Sequence, residues 1–96
     1  MRLRYTNRAN TDVKLALDWY EKQRMGLGFD FLDCLEKSIL EIISYPEMHE
    51  LSYGNFRRCI IKRFPFSIFY TIENEEIVIH SIFNNRQDPQ KKPEVN

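Results

Sequence analysis

Apolar and polar residues alternate over LRYT, residues 3–6, which predicts a first β-strand. The period then changes. From Thr11 onward, Val13, Ala16, Leu17 and Tyr20 recur at helical spacing, with Leu15 and Trp19 as an adjacent i,i+4 pair. Asn10 or Thr11 is placed to cap this helix, Asp12 suits its first turn, and the pattern runs to about Met25. The stretch GLG, residues 26–28, lies between two helical patterns and follows no strand, so it reads as the bend of an αα-hairpin rather than a phosphate loop. A second helix is predicted from about Gly28 to Ser44, its inner stripe formed by Phe31, Leu32, Leu35, Ile39, Ile42 and Ile43. Pro46 stops it.

After the polar connection PEMHELSYGN, three strand-like segments follow, at about 56–62, 66–73 and 76–83. A two-residue turn at Asn74 and Glu75 would set Ile72 against Ile77, Tyr70 against Ile79, Ile68 against Ser81 and Phe66 against Phe83. This register gathers an apolar set on one face for the helices to cover. It leaves Ser67, Phe69, Thr71, Val78, His80 and Ile82 on the other. The faces of FRRCIIKR, residues 56–63, are not assigned by alternation. The pattern as a whole predicts an α+β domain of order β-αα-βββ, an antiparallel sheet with a two-helix hairpin on one face, over residues 1–86, with 87–96 as a flexible polar tail.

Composition adds one feature to this picture. The net charge is zero, which disfavours a general nucleic-acid binder, but the charges are segregated. Residues 9–50 hold nine acids against four bases, whereas residues 51–72 carry Arg57, Arg58, Lys62 and Arg63 with no acid. A chain polarised in this way can present a basic face while remaining neutral overall. Cys34 and Cys59 have no metal-ligand spacing and read as reduced, buried residues, and no metal or cofactor is expected. With no apolar run of membrane length and no signal-peptide pattern at the N-terminus, a cytoplasmic protein is expected.

The residues also carry a resemblance. Ala16, Trp19 and Tyr20 on the first helix, GLGFDFL opening the second, and above all R-x-x-x-x-R-F-P-F-x-I-x-Y, carried by Arg58, Arg63, Phe64, Pro65, Phe66, Ile68 and Tyr70, resemble the RelE/ParE superfamily of type II toxin–antitoxin toxins, in particular its ParE-like branch. The resemblance spans about residues 2–89. It implies the fold already read from periodicity, and an antitoxin partner encoded by a neighbouring gene. RelE-like members cleave messenger RNA on the ribosome, and ParE-like members bind and poison DNA gyrase.

Cleavage through a 2′-hydroxyl requires a base, an acid and cations facing the phosphate. Here Ser67 stands where the resemblance to RelE-like enzymes implies an arginine, and no tyrosine follows Tyr70. The expected function is therefore inhibition of DNA gyrase by binding, with catalytic residues unassigned. The alternatives are a ribosome-dependent endoribonuclease acting on mRNA, or a degenerate member that binds antitoxin with little toxicity. Candidates for target or nucleic-acid binding are Arg57, Arg58, Lys62, Arg63, His80 and Arg86. Those for antitoxin contact are Phe69, Thr71, Val78, His80 and Ile82.

Overall fold

The computed structural model describes residues 1–87 and 89–93; position 88 and the last three residues of the expected tail lie outside the described residues. Strand β1 (Arg2–Tyr5) leads into helices α1 (Asn7–Gln23) and α2 (Leu27–Ser44), followed by β2 (Leu51–Tyr53), β3 (Phe56–Ile60), β4 (Phe66–Glu73) and β5 (Glu76–Asn84). The strands form one sheet in the order β1-β5-β4-β3-β2, antiparallel except for the parallel pair β1 and β5. Among the described residues, no helix is long and apolar enough to cross a membrane.

Helix α1 begins four residues before the predicted start. Its N-cap is Thr6, whose hydroxyl accepts a hydrogen bond from Ala9 N at 3.1 Å. The run NRAN conceals this start, because Ala9 is its only apolar residue. Strand β2 was not expected either; it is three residues long and lies at the sheet edge.

The αα-bend is built as the glycines imply. Gly26 caps α2 at φ +87°, and the Glu21 carboxylate accepts from Gly26 N at 2.9 and 3.1 Å and from Gly28 N at 3.0 Å. A Cβ on Gly28 would meet Leu17 Cδ1 at 2.7 Å and Leu17 O at 2.9 Å. The helices therefore touch where the second glycine stands.

Asn74 and Glu75 form the predicted tight turn, both with positive φ (50° and 62°), and Ile72 faces Ile77 and Tyr70 faces Ile79 as expected. Beyond that point the register differs. The ladder passes from Tyr70–Ile79 to Phe69–Ser81, leaving His80 without a cross-strand partner in a β-bulge. Ile68 then faces Ile82 and Ser67 faces Phe83, so the expected pairs Ile68–Ser81 and Phe66–Phe83 do not form. Ile82 joins the helix-covered core with Ile68, Tyr70 and Ile79, while Phe83 packs on the opposite face with Phe56 and Phe69.

The bulge sits where β1 runs out as a neighbour of β5. Past Tyr5, the chain turns into α1 and its polar atoms take over the edge. Thr6 N donates to Ile79 O at 3.0 Å, Thr6 Oγ1 donates to His80 O at 3.0 Å, and the Asp12 carboxylate accepts from Ser81 Oγ and Ile82 N, both at 3.0 Å. Partial burial raises the Asp12 pKa above its ordinary value, against the lowering effect of those two bonds and of Arg8.

Two substitutions test this construction. Asp12→Ala leaves two donors at the bulge without their acceptor, and the expected loss is about 1–3 kcal/mol by urea unfolding, with Asp12→Asn losing less because it keeps an acceptor oxygen. Gly28→Ala, forced against Leu17, should lose a further amount on the order of 1–3 kcal/mol. Wild-type midpoints in both alanine variants would contradict the two contacts.

Candidate functional site

The six target-binding candidates divide between places. Arg57 shares the helix-side face of β3 with Cys59, and its Nη1 donates to Glu47 O at 3.1 Å and His49 O at 2.7 Å, so it holds the α2–β2 loop. Arg58 projects to the other face. Its Nε donates to Ser67 Oγ at 2.9 Å, and Ser67 Oγ in turn donates to Asn85 Oδ1 at 2.7 Å. Ser67 is fully buried, so the position where the resemblance implied an arginine is used to fix Arg58 and Asn85.

Lys62, Arg63 and Arg86 lie exposed near this network. Arg63 adopts φ +74° in the β3–β4 loop, with its guanidinium carbon 5.8 Å from the Phe64 ring centroid. The backbone ties that loop to the turn after β5, through Asn85 N donating to Pro65 O at 2.8 Å. Four of the candidates, Arg58, Lys62, Arg63 and Arg86, thus belong to one end of the sheet. A cleft of about 280 Å³ adjoins Arg86, lined also by Leu15, Trp19, Tyr20, Pro65 and Asn84 among others. Tyr20 points inward onto Phe31 and Phe64, but Trp19 is 58 % exposed and Leu15 63 %. This exposed pair was missed as a surface feature; its signal in the sequence is that positions 15 and 19 fall off the inner stripe of α1.

The helix-free face is closed by the chain itself. Phe56, Phe69 and Phe83 form a second small core with Tyr53 against it. Residues 89–93 lie over it: the Tyr53 hydroxyl donates to Pro93 O at 2.6 Å, and Lys92 Nζ stands 5.6 Å from the Phe69 ring centroid. Arg8 also donates to Lys91 O. The expected antitoxin-contact residues Phe69, Thr71 and Val78 are therefore buried within the chain, and Ile82 is buried on the opposite side, so these residues form no open patch.

His80 is half-buried beneath Phe56, ring centroids 4.9 Å apart. The Thr71 hydroxyl donates to Glu73, so its oxygen is free to accept the Nε2 proton of His80 at 2.8 Å. Burial lowers the His80 pKa below its ordinary value, an effect opposed by Glu73. The imidazole Nε2 thus faces Thr71 Oγ1 and, at 3.6 Å, the Glu73 carboxylate, while burial favours its neutral form.

Comparison with known proteins places this geometry. The family described as "ParE toxin of type II toxin-antitoxin system, parDE" matches residues 3–89. No curated protein matches. Among solved structures, a chain of the chromosomal ParDE toxin–antitoxin system from P. aeruginosa is similar in fold, with a TM-score of 0.78 at 18 % identity over 88 % of this chain and 95 % of that one. A chain of the intact E. coli RelBE toxin–antitoxin complex is also similar, with a TM-score of 0.62 at 13 % identity over 90 % and 98 %.

Because burial outweighs the neighbouring Glu73, the lowered pKa sets the sign of a pH prediction. Between the folded pKa and the ordinary value of 6.5, the unfolded chain binds more protons than the folded one. The stability due to neutral His80 is therefore present above pH 6.5 and falls away as the pH drops below it. Urea unfolding from pH 8 to 5 should show this decline (range chosen about the histidine pKa), and His80→Gln should flatten it; an unchanged pH profile in the variant would contradict the assignment.

With a sheet flanked by a two-helix hairpin, a basic sheet end and a family match over nearly its whole length, the chain belongs to the ParE toxin family of type II toxin–antitoxin systems.

Proposed function

We propose that this toxin acts without catalysis, by binding DNA gyrase through the basic end of the sheet. The observation that carries the reading is the state of the helix-free face. Phe56, Phe69 and Phe83 fill it, His80 is tied to Thr71, and Ser67 is tied to Arg58 and Asn85. General acid–base cleavage needs two titratable groups free to reach a substrate. Arg63, Lys62 and Arg86 are instead exposed and suited to contact, with Trp19 and Leu15 offering apolar anchors beside Arg86.

A cognate antitoxin belongs to the same reading. The similar solved structures are described as toxin–antitoxin systems or complexes, and this chain has an unfilled apolar groove where α1 and α2 meet β1. Tyr5, Val13, Leu17, Leu35 and Leu40 line it, and Leu40 is 62 % exposed. An antitoxin segment binding on the opposite face would have to displace residues 89–93.

Supercoiling by purified gyrase should be inhibited by the toxin and restored by the product of the adjacent gene. Arg63→Glu with Arg86→Glu should weaken inhibition by about tenfold or more, with the difference shrinking at high salt, while His80→Ala should leave it within about twofold. Toeprinting on translating ribosomes supplies the opposing outcome. Codon-specific message cleavage lost in His80→Ala, with supercoiling untouched, would replace the gyrase reading with the ribonuclease one.

A further inference from the structure

Glu41, His49 and Cys59 converge although the sequence separates them by a helix end, a loop and a strand. Their ligand atoms, a carboxylate oxygen, an imidazole nitrogen and a thiol sulfur, all lie within 4.8 Å of one another. Glu41 is in the last turns of α2, His49 in the α2–β2 loop, and Cys59 on the helix-side face of β3.

The loop between them is held from several directions. The Tyr70 hydroxyl donates to Pro46 O at 2.6 Å, Arg57 donates to Glu47 O and His49 O, and the His49 ring stands edge-on to Tyr70 at 6.2 Å. The imidazole is consequently fixed, with its side chain 13 % exposed.

His49 Nε2 is the informative atom. It is closed off from solvent and makes no hydrogen bond, yet Glu41 Oε1 lies only 3.1 Å away. Buried polar atoms of folded proteins seldom lack a partner, and one that does calls for an explanation. The nitrogen and the carboxylate oxygen form an ion pair when the imidazole is protonated, and the buried sulfur of Cys59, 2 % exposed, lies within 4.8 Å of both.

We propose that Glu41, His49 and Cys59 form a binding site for a divalent transition-metal ion of the zinc type. Zinc takes thiolate sulfur at about 2.3 Å and imidazole nitrogen or carboxylate oxygen at about 2.0–2.2 Å, in tetrahedral geometry. Those lengths require ligand–ligand separations of roughly 3.3–3.6 Å. The nitrogen–oxygen separation is already close to this, and the sulfur reaches it by a side-chain adjustment on the order of 1 Å. The donor set is mixed and borderline-soft, which favours zinc over magnesium or calcium.

On binding, the Cys59 S–H bond breaks, the sulfur electron pair goes to the metal, and the proton leaves to solvent. Three protein ligands leave a fourth position, which water fills on the side of Glu41, whose side chain is 44 % exposed. The ion would fasten the end of α2 and its following loop to β3, the strand that also carries Arg57 and Arg58.

Cobalt(II), added to the reduced, chelator-treated full chain, is the probe. One cobalt per chain should bind, with a thiolate-to-cobalt charge-transfer band in the near ultraviolet and displacement of the cobalt by zinc. Cys59→Ser should remove that band and Cys34→Ser retain it. His49→Gln and Glu41→Gln should each lower cobalt affinity by about tenfold or more, and the second, at a surface position, keeps the test valid if a buried variant fails to fold. A folded wild-type chain without the band, a band that follows Cys34, or unchanged affinity in Glu41→Gln and His49→Gln would overturn the site.

Discussion

Past Tyr5, strand β5 has lost its neighbour and must still satisfy its outward-facing backbone groups, and this constraint governs much of the molecule. Thr6 and Asp12 meet it at the start of α1, at the backbone of Ile79, His80 and Ile82, and Asp12 also accepts from the Ser81 hydroxyl. Thr6 serves twice, since the same hydroxyl that caps α1 also reaches His80 O. The helix start and the strand bulge are thereby one structure. Fixing either one positions the other.

The bulge decides what each face of the sheet contains. One extra residue at His80 exchanges the directions that Ile82 and Phe83 would otherwise take. Ile82 completes the core under the helices, and Phe83 closes the aromatic cluster on the other side. The exposed cations stand instead at the end of the sheet, where Asn85 N to Pro65 O joins two loops carrying Lys62, Arg63 and Arg86.

Sequence patterns disclosed the elements whose determinants are local. The turn at Asn74 and Glu75, the glycine bend and the stripe of α2, apart from Ile43, which is exposed, each depend on residues a few positions apart, and each was legible. The start of α1 was hidden because its cap acts from a polar run, and β2 because three edge residues establish no period. The bulge was not legible at all: alternation continues through His80 whether or not a partner faces it, and the atoms that hold it come from Thr6 and Asp12. Four of the six binding candidates share one end of the sheet, but Arg57 faces the helices because alternation could not assign the faces of β3, and His80 stands at the bulge of β5. The same separation in sequence concealed the convergence of Glu41, His49 and Cys59.

The bend between the helices has an implication for how such chains diverge. Glu21 satisfies the amides of Gly26 and Gly28 together, and Gly28 is bare because Leu17 occupies the space beside it. A bulkier residue at 28 pushes the amide away from the carboxylate, and a shorter one at 21 strands both amides. Leu17, Glu21, Gly26 and Gly28 therefore behave as a single heritable character: relatives that drift at one of the four must find another way to join their helices, and are expected to have changed the others with it.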